Sequence, residues 1–139
     1  MLFRITLVFA LTVASSSAQS SDAAYQPLER AYEALRDKKY DQAIAGFHRA
    51  IALAPDHASI HKDLAYTLLK VGENEAARDE FGEAMRLDLT DQHVALEYAF
   101  LCYETKQVAA ARRIFDRLRQ SGNKTAAQAI ENEIGRAHV

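Results

Sequence analysis

Tryptophan is absent from the sequence, cysteine occurs once, proline twice and glycine five times in 139 residues. With so few breakers and a hydrophobic fraction of 49%, the chain reads as folded and helix-friendly, and a disordered composition is excluded. A single cysteine excludes an internal disulfide, so the fold must stand on packing alone. Cys102 itself lies in the apolar stretch YAFLCY and reads as a small buried hydrophobe. An excess of one charge is lacking too: 17 basic residues face 19 acidic ones, a formal net charge of −2. No strong basic field exists to hold a nucleic acid or an anionic membrane. Long hydrophobic runs are also missing. Residues 5–14, broken only by Thr6 and Thr12, are too short to span a bilayer comfortably.

Patterns that carry chemistry are equally scarce. No Ser-centred elbow, Gly-rich phosphate loop or Cys/His pairing occurs, so neither catalysis nor a cofactor is expected. His57 and His61 stand four apart, a metal-ligand spacing on a helix. His57, however, follows Pro55-Asp56 in the turn before the helix. The two rings are not expected to share a face, both read as solvated polar residues, and no metal is expected. Asp79, Glu80 and Glu83 read as an ordinary charged helix face with Arg78 and Arg86.

The first residues do contain an export pattern. Residues 1–4 carry one positive charge, the apolar run follows, and Ser16-Ser17-Ala18 supply the small residues a signal peptidase needs. Residues 1–18 are expected to be a signal peptide cleaved after Ala18, with 19–23 as a linker. The mature chain is then periplasmic or extracellular, with no stable membrane insertion.

Beyond the linker, small and aromatic residues return at a fixed count of 34. Ala31, Ala65 and Ala99 form one column, Ala43, Ala77 and Ala111 a second, and Phe47, Phe81 and Phe115 a third. Ala50, Ala84 and Leu118 make a fourth, and Leu53 and Leu87 a fifth that fails at Ser121. Each unit also splits into two helical halves. Ile60, Leu64, Leu68 and Val71 mark one apolar face, and Gly72 suits the left-handed position that stops a helix. Pro55 follows the end of the first unit's second helix, as a proline past a C-terminus should. Six helices are predicted, at 24–37, 40–53, 58–71, 74–87, 92–105 and 108–120. The alanine columns are where paired helices cross closely. A larger residue there would overpack the crossing at a cost of about 1–3 kcal/mol.

With Leu64, Ala65, Gly72, Ala77, Phe81, Ala84 and Leu87 in one unit, the chain resembles the tetratricopeptide repeat family over residues 24–122. The resemblance implies an all-α fold, a right-handed superhelical solenoid of three helix-turn-helix repeats at 24–57, 58–91 and 92–124. Departures from the family pattern are Leu89 in place of the proline seen at Pro55, and Gln107 and Leu118 in the third unit. After Gly122, Thr125 with Gln128 three residues on reads as a capping box. Residues 125–133 therefore begin a further helix, either a cap or the start of a fourth repeat. Residues 134–139 back-translate readily to a widely used sequencing-adapter string, so they are set aside as read-through and the frame is expected to continue.

In this family the first helices of successive repeats line a concave groove that holds a protein or peptide partner. Carried over, the groove positions are Tyr25, Leu28, Glu29, Tyr32, Leu35 and Arg36, then Ser59, Lys62, Asp63, Tyr66, Leu69 and Lys70. The third helix supplies His93, Leu96, Glu97, Phe100, Tyr103 and Glu104. Tyr32, Tyr66 and Phe100 would form an aromatic ladder, either as binding anchors or as core-filling rings. Arg36, Lys62 and Lys70 would add a positive strip for an acidic peptide. One Lys and no Asn match the carboxylate clamp of some members, so that clamp is not expected. The reading is an exported, non-catalytic scaffold whose groove is centred on Tyr32, Arg36, Lys62, Tyr66, Leu69, Lys70, Phe100 and Tyr103. The alternative is the N-terminal accessory segment of a longer bacterial envelope enzyme or polysaccharide-handling protein. Self-association through the open end of the stack is a further reading.

Overall fold

A computed structural model describes residues 16–134, and within them the chain is entirely helical. The helices are α1 (Ser16–Arg36), α2 (Tyr40–Leu53), α3 (Ala58–Val71), α4 (Asn74–Leu87), α5 (Gln92–Glu104), α6 (Val108–Gln120) and α7 (Lys124–Ala129). A π-helical turn, Ile130–Ile134, closes the described chain. Helices pack in sequence order, α1 on α2, α2 on α3 and so on to α7. Residues 1–15 of the expected signal peptide and residues 135–139 of the expected read-through lie outside the described residues. No described helix is long and apolar enough to cross a membrane.

The period of 34 is written into the core. Ala31, Ala65, Ala99, Ala43, Ala77 and Ala111 are all fully buried, and Phe47, Phe81 and Phe115 are at most 1% exposed. At the first crossing the approach is closest. Gly46 of α2 lies so near α1 that a Cβ placed on it would sit 2.8 Å from the Ala31 Cβ and 3.0 Å from its Cα. The fifth column is peripheral: Leu53, the last residue of α2, is 44% exposed. The buried residues form two clusters, one through the first two repeats and one through the third repeat and α7. Met85 and Tyr98 pack against both.

The turn inside each repeat is the same turn three times. Lys38, Gly72 and Lys106, again 34 apart, all have positive φ, at 58°, 82° and 68°. The amide of the following residue reaches back to close the helix: Lys39 N to Ala34 O at 2.8 Å, Glu73 N to Leu68 O at 3.1 Å, Gln107 N to Cys102 O at 2.7 Å. This six-to-one bond is the Schellman closure. Glycine fills the left-handed position at no steric cost only in the second repeat. Between repeats the device varies. Pro55 serves the first junction, whereas at the second Asp88 Oδ1 accepts from the Thr90 amide and hydroxyl, and Leu89 is 77% exposed.

Two boundaries differ from expectation. α1 begins at Ser16, so the expected linker 19–23 is helical. No glycine or proline precedes Pro27, and Ala18, Ala23 and Ala24 favour helix. Pro27 lacks the N–H that would bond the carbonyl of residue 23, yet the helix runs through it. At the other end the N-cap is Asn123 rather than Thr125: its side chain accepts from the Ala126 amide at 3.0 Å. Because Asn123 N also bonds Leu118 O at 3.0 Å, one residue closes α6 and opens α7. α7 therefore starts two residues ahead of the position, 126, that the period would give it.

Candidate functional site

Tyr32, Tyr66 and Phe100 sit on α1, α3 and α5, each half-buried and each edge-on to the buried phenylalanine of its own repeat. Tyr32 meets Phe47 at 5.3 Å and 82°, Tyr66 meets Phe81 at 4.9 Å and 84°, and Phe100 meets Phe115 at 5.0 Å and 73°. Edge-to-face pairs of this kind add about 0.5–1.5 kcal/mol beyond area burial. The ladder is thus anchored in the core, and the part of each ring not in the core remains open to solvent.

Polar contacts tie the three helices together along this face. The Tyr32 hydroxyl donates to Asp63 of α3. Tyr66 stacks with His93 of α5, centroids 6.5 Å apart at 26°. Lys62 Nζ lies 3.1 Å from Asp91 Oδ2, just ahead of α5. Asp91 is at the same time the N-cap of α5, accepting from His93 N and Val94 N at 3.1 Å each.

The charges acting on the two tyrosines are carboxylates. Burial, then the hydrogen bond to Asp63 and the Asp63 charge, push the Tyr32 phenol above its usual value. Burial, then the charges of Glu97, Asp91 and Asp63, do the same to Tyr66. Burial pushes the Asp91 carboxyl up, but the Val94 amide, Lys62 and the His93 amide outweigh it and hold that group below the ordinary carboxylate value.

These contacts remove Lys62 from the expected positive strip. Lys62 is committed to Asp91 and is not a free cation. Arg36 and Lys70 are exposed, with no ion pair among the described residues, and both lie in the last turn of their helices. Cations there complement the helix dipole. Leu28, Leu35 and Leu69 are half-buried against the first core cluster, and Leu96 and Tyr103 against the second. Ser59 and Glu104 are exposed. Tyr25, 63% exposed, joins Leu28, Glu29, Tyr32 and Arg36 around a 220 Å³ recess.

His61 is also corrected, since it is buried rather than solvated. Its Nδ1 lies 2.7 Å from Glu80 Oε2 and its Nε2 2.9 Å from the Pro55 carbonyl, which joins the first repeat's end to α4. His57 is exposed in the turn before α3, so the two histidines do not converge. Among the described residues no group of three or more His, Cys, Asp or Glu could hold a metal. Cys102 is fully buried, and burial pushes its thiol up, away from the reactive thiolate. The position-by-position reading missed Asp91. Its signal was an aspartate directly before the periodic residues of α5, where an N-cap belongs.

Comparison with known proteins agrees with this architecture. The tetratricopeptide repeat model matches residues 34–94 and again 68–134. Type IV pilus assembly protein PilF of Pseudomonas aeruginosa is 28% identical over 91 residues, 64% of this chain but 36% of its own length. The chain thus spans about a third of the curated relative it matches. Among solved structures, the N-terminal domain of stress-induced protein-1 from C. elegans superposes with a TM-score of 0.68 at 13% identity. The match covers 81% of this chain and 94% of that one. The second TPR domain of human RPAP3, solved with an HSP70 peptide, gives 0.63 at 21% identity, covering 82% and 94%. At these identities the likeness to the solved structures is one of fold.

Proposed function

The chain belongs to the tetratricopeptide repeat family, and from that premise we propose that it is an exported scaffold binding an extended protein or peptide segment along α1, α3 and α5, without catalysis of its own. The observation that carries this is the aromatic ladder. Tyr32, Tyr66 and Phe100 are rigidly held by Phe47, Phe81 and Phe115 and still half-open. Rings fixed before binding offer contact area at little entropic cost. The human RPAP3 domain, solved with the peptide SGPTIEEVD, supports peptide binding as the use of this fold. The export pattern of residues 1–18 and the likeness to a pilus assembly protein support an envelope location.

The test is affinity capture from an envelope fraction with the chain and with its Tyr66→Ala/Phe100→Ala variant. Partners held by the groove are expected to disappear with the variant. If every captured partner is retained, the groove reading fails.

A second reading is favoured by one observation, the short span of the curated relative that this chain covers. It makes the repeats an accessory segment of a longer envelope protein. Sequencing the same locus past residue 132 separates the two: a further domain supports the second reading, and a stop within a helix or two supports the first.

A further inference from the structure

Beside the aromatic ladder runs a second column with the same period. Glu29, Asp63 and Glu97 stand 34 apart, and each lies three residues ahead of an aromatic: Tyr32, Tyr66 and Phe100. Residues three apart on a helix are neighbours on one face, so each of α1, α3 and α5 presents a carboxylate next to a half-open ring. Between helices the pairing is diagonal. The Tyr32 hydroxyl donates to Asp63, 31 residues on, and Glu97 lies the same 31 residues from Tyr66.

Among the described residues Glu29, Asp63 and Glu97 make no ion pair with a lysine or arginine, and Glu97 has the His93 imidazole 3.7 Å away. Lys62 is consumed by Asp91. Arg36 and Lys70 stand in the last turns of α1 and α3; Arg36 shares the recess of Glu29 and Tyr32, and neither is among the charges acting on Tyr66. Around Tyr66 at the centre stand the carboxylates Glu97, Asp91 and Asp63; Asp91 is paired with Lys62, which leaves Asp63 and Glu97 to face an occupant, with His93 stacked on one face of the ring. An anionic side chain laid on that ring would meet repulsion. A guanidinium or ammonium would meet attraction from the flanking carboxylates and from the ring face.

Resting on the groove reading above, we infer that the occupant is a basic peptide segment, whose Arg or Lys side chains lie over Tyr66 and Phe100 between Glu29, Asp63 and Glu97. This is opposite in charge to the positive-strip partner that the sequence suggests. The carboxylates steer and orient, while the rings supply contact area.

The test uses the full chain immobilised and a displayed library of random nonapeptides, counter-selected against the Tyr66→Ala/Phe100→Ala variant. Retained peptides are expected to be enriched at least twofold in Arg plus Lys over the unselected library. Their dissociation constants are then measured on the chain and on Glu29→Gln/Glu97→Gln. Among the described residues neither carboxylate makes a hydrogen bond, and Glu97 has only a 3.7 Å contact with the exposed His93 imidazole, so helicity by circular dichroism is expected to be unchanged. Binding is expected to weaken about three- to tenfold in that variant, and to weaken with added salt, as for two partly exposed charge pairs. Peptides that depend on Tyr66 and Phe100 but lack Arg and Lys enrichment, or that ignore the two Gln substitutions, overturn this inference and leave the groove reading standing. If no retained peptide depends on the two rings, both fall.

Discussion

Replacing Gly46 with alanine sets two known effects against each other at one position. Gly46 lies inside α2, where Gly→Ala ordinarily stabilises a helix by about 1 kcal/mol. Here the new methyl would stand 2.8 Å from Ala31 Cβ, 3.0 Å from its Cα and 3.3 Å from its N. Carbon pairs are at ease at about 3.5–4.0 Å, so α1 and α2 would have to separate by about 1 Å. They cannot do so freely. The Lys38 turn pins one end, and Tyr32 stands edge-on to Phe47 across the same interface. Because the obstacle is the Ala31 methyl and the backbone behind it, neither of which can rotate away, the cost belongs at the upper part of the usual overpacking range, about 2–3 kcal/mol. The net expectation for Gly46→Ala is destabilisation by about 1–2 kcal/mol after the helix gain is subtracted. Gly82→Ala in α4 is the internal control. Its methyl would meet only the Tyr98 ring, at 3.1 Å, and a half-buried ring at a helix surface can turn aside. That variant is expected to be unchanged or up to about 1 kcal/mol more stable. Urea unfolding followed by circular dichroism, fitted with a common slope, measures both. If Gly46→Ala matched or exceeded the parent, or if Gly82→Ala lost as much, the close-crossing account of the alanine and glycine positions would be refuted.

Lys38→Gly and Lys106→Gly are expected to stabilise the chain by about 0.5–1 kcal/mol each. A left-handed conformation costs a non-glycine residue about 1–2 kcal/mol, and glycine's extra chain entropy returns part of that. Midpoints of urea unfolding check this, and a loss in either variant would contradict the positive φ at these turns. Asp91 carries a pH dependence with a definite sign. Its carboxyl is held below the ordinary value in the folded chain. It therefore contributes stability that is present above the unfolded value of about 3.9 and is lost as pH falls through the lower folded value. Asp91→Asn is expected to lower stability at neutral pH and to flatten the acid limb of a pH–stability profile. An unchanged acid limb would mean that the Lys62 pair and the α5 cap do not hold that charge.

Much of this architecture is legible because core positions repeat at one interval. Ala31, Ala43 and Phe47 each meet residues of their own repeat, and the repeats are copies, so a column 34 apart collects residues with the same neighbours. Helix ends from Tyr40 to Gln120 fall within a residue of expectation for the same reason. Outside the repeats that logic has no purchase. The start of α1 at Ser16 has no counterpart column, and the Asn123 cap competes with an equally plausible Thr125-x-x-Gln128 pattern two residues later. The left-handed lysines are a subtler miss. Lys38 and Lys106 have the wrong residue type for φ above zero, and only their register with Gly72 reveals the turn they make.

Lys62 is misread for a related geometrical reason. Packing within a repeat obeys the period, but contacts between first helices cross from one repeat to the next and fall short of it. Tyr32 reaches Asp63 at a separation of 31, and Lys62 reaches Asp91 at 29. A reading by columns places Lys62 beside Leu28 and Leu96 and sees an unopposed cation. A reading by diagonals places it beside Asp91 and sees a neutral pair. The separation of Tyr32 and Asp63 recurs in the sequence between Tyr66 and Glu97 and between Phe100 and Glu131. The pairing of polar groups between neighbouring repeats on this face is therefore read at separations near 29–31, not 34. For this chain the basic-peptide inference rests on those diagonals, where an aromatic is followed 31 residues later by a carboxylate.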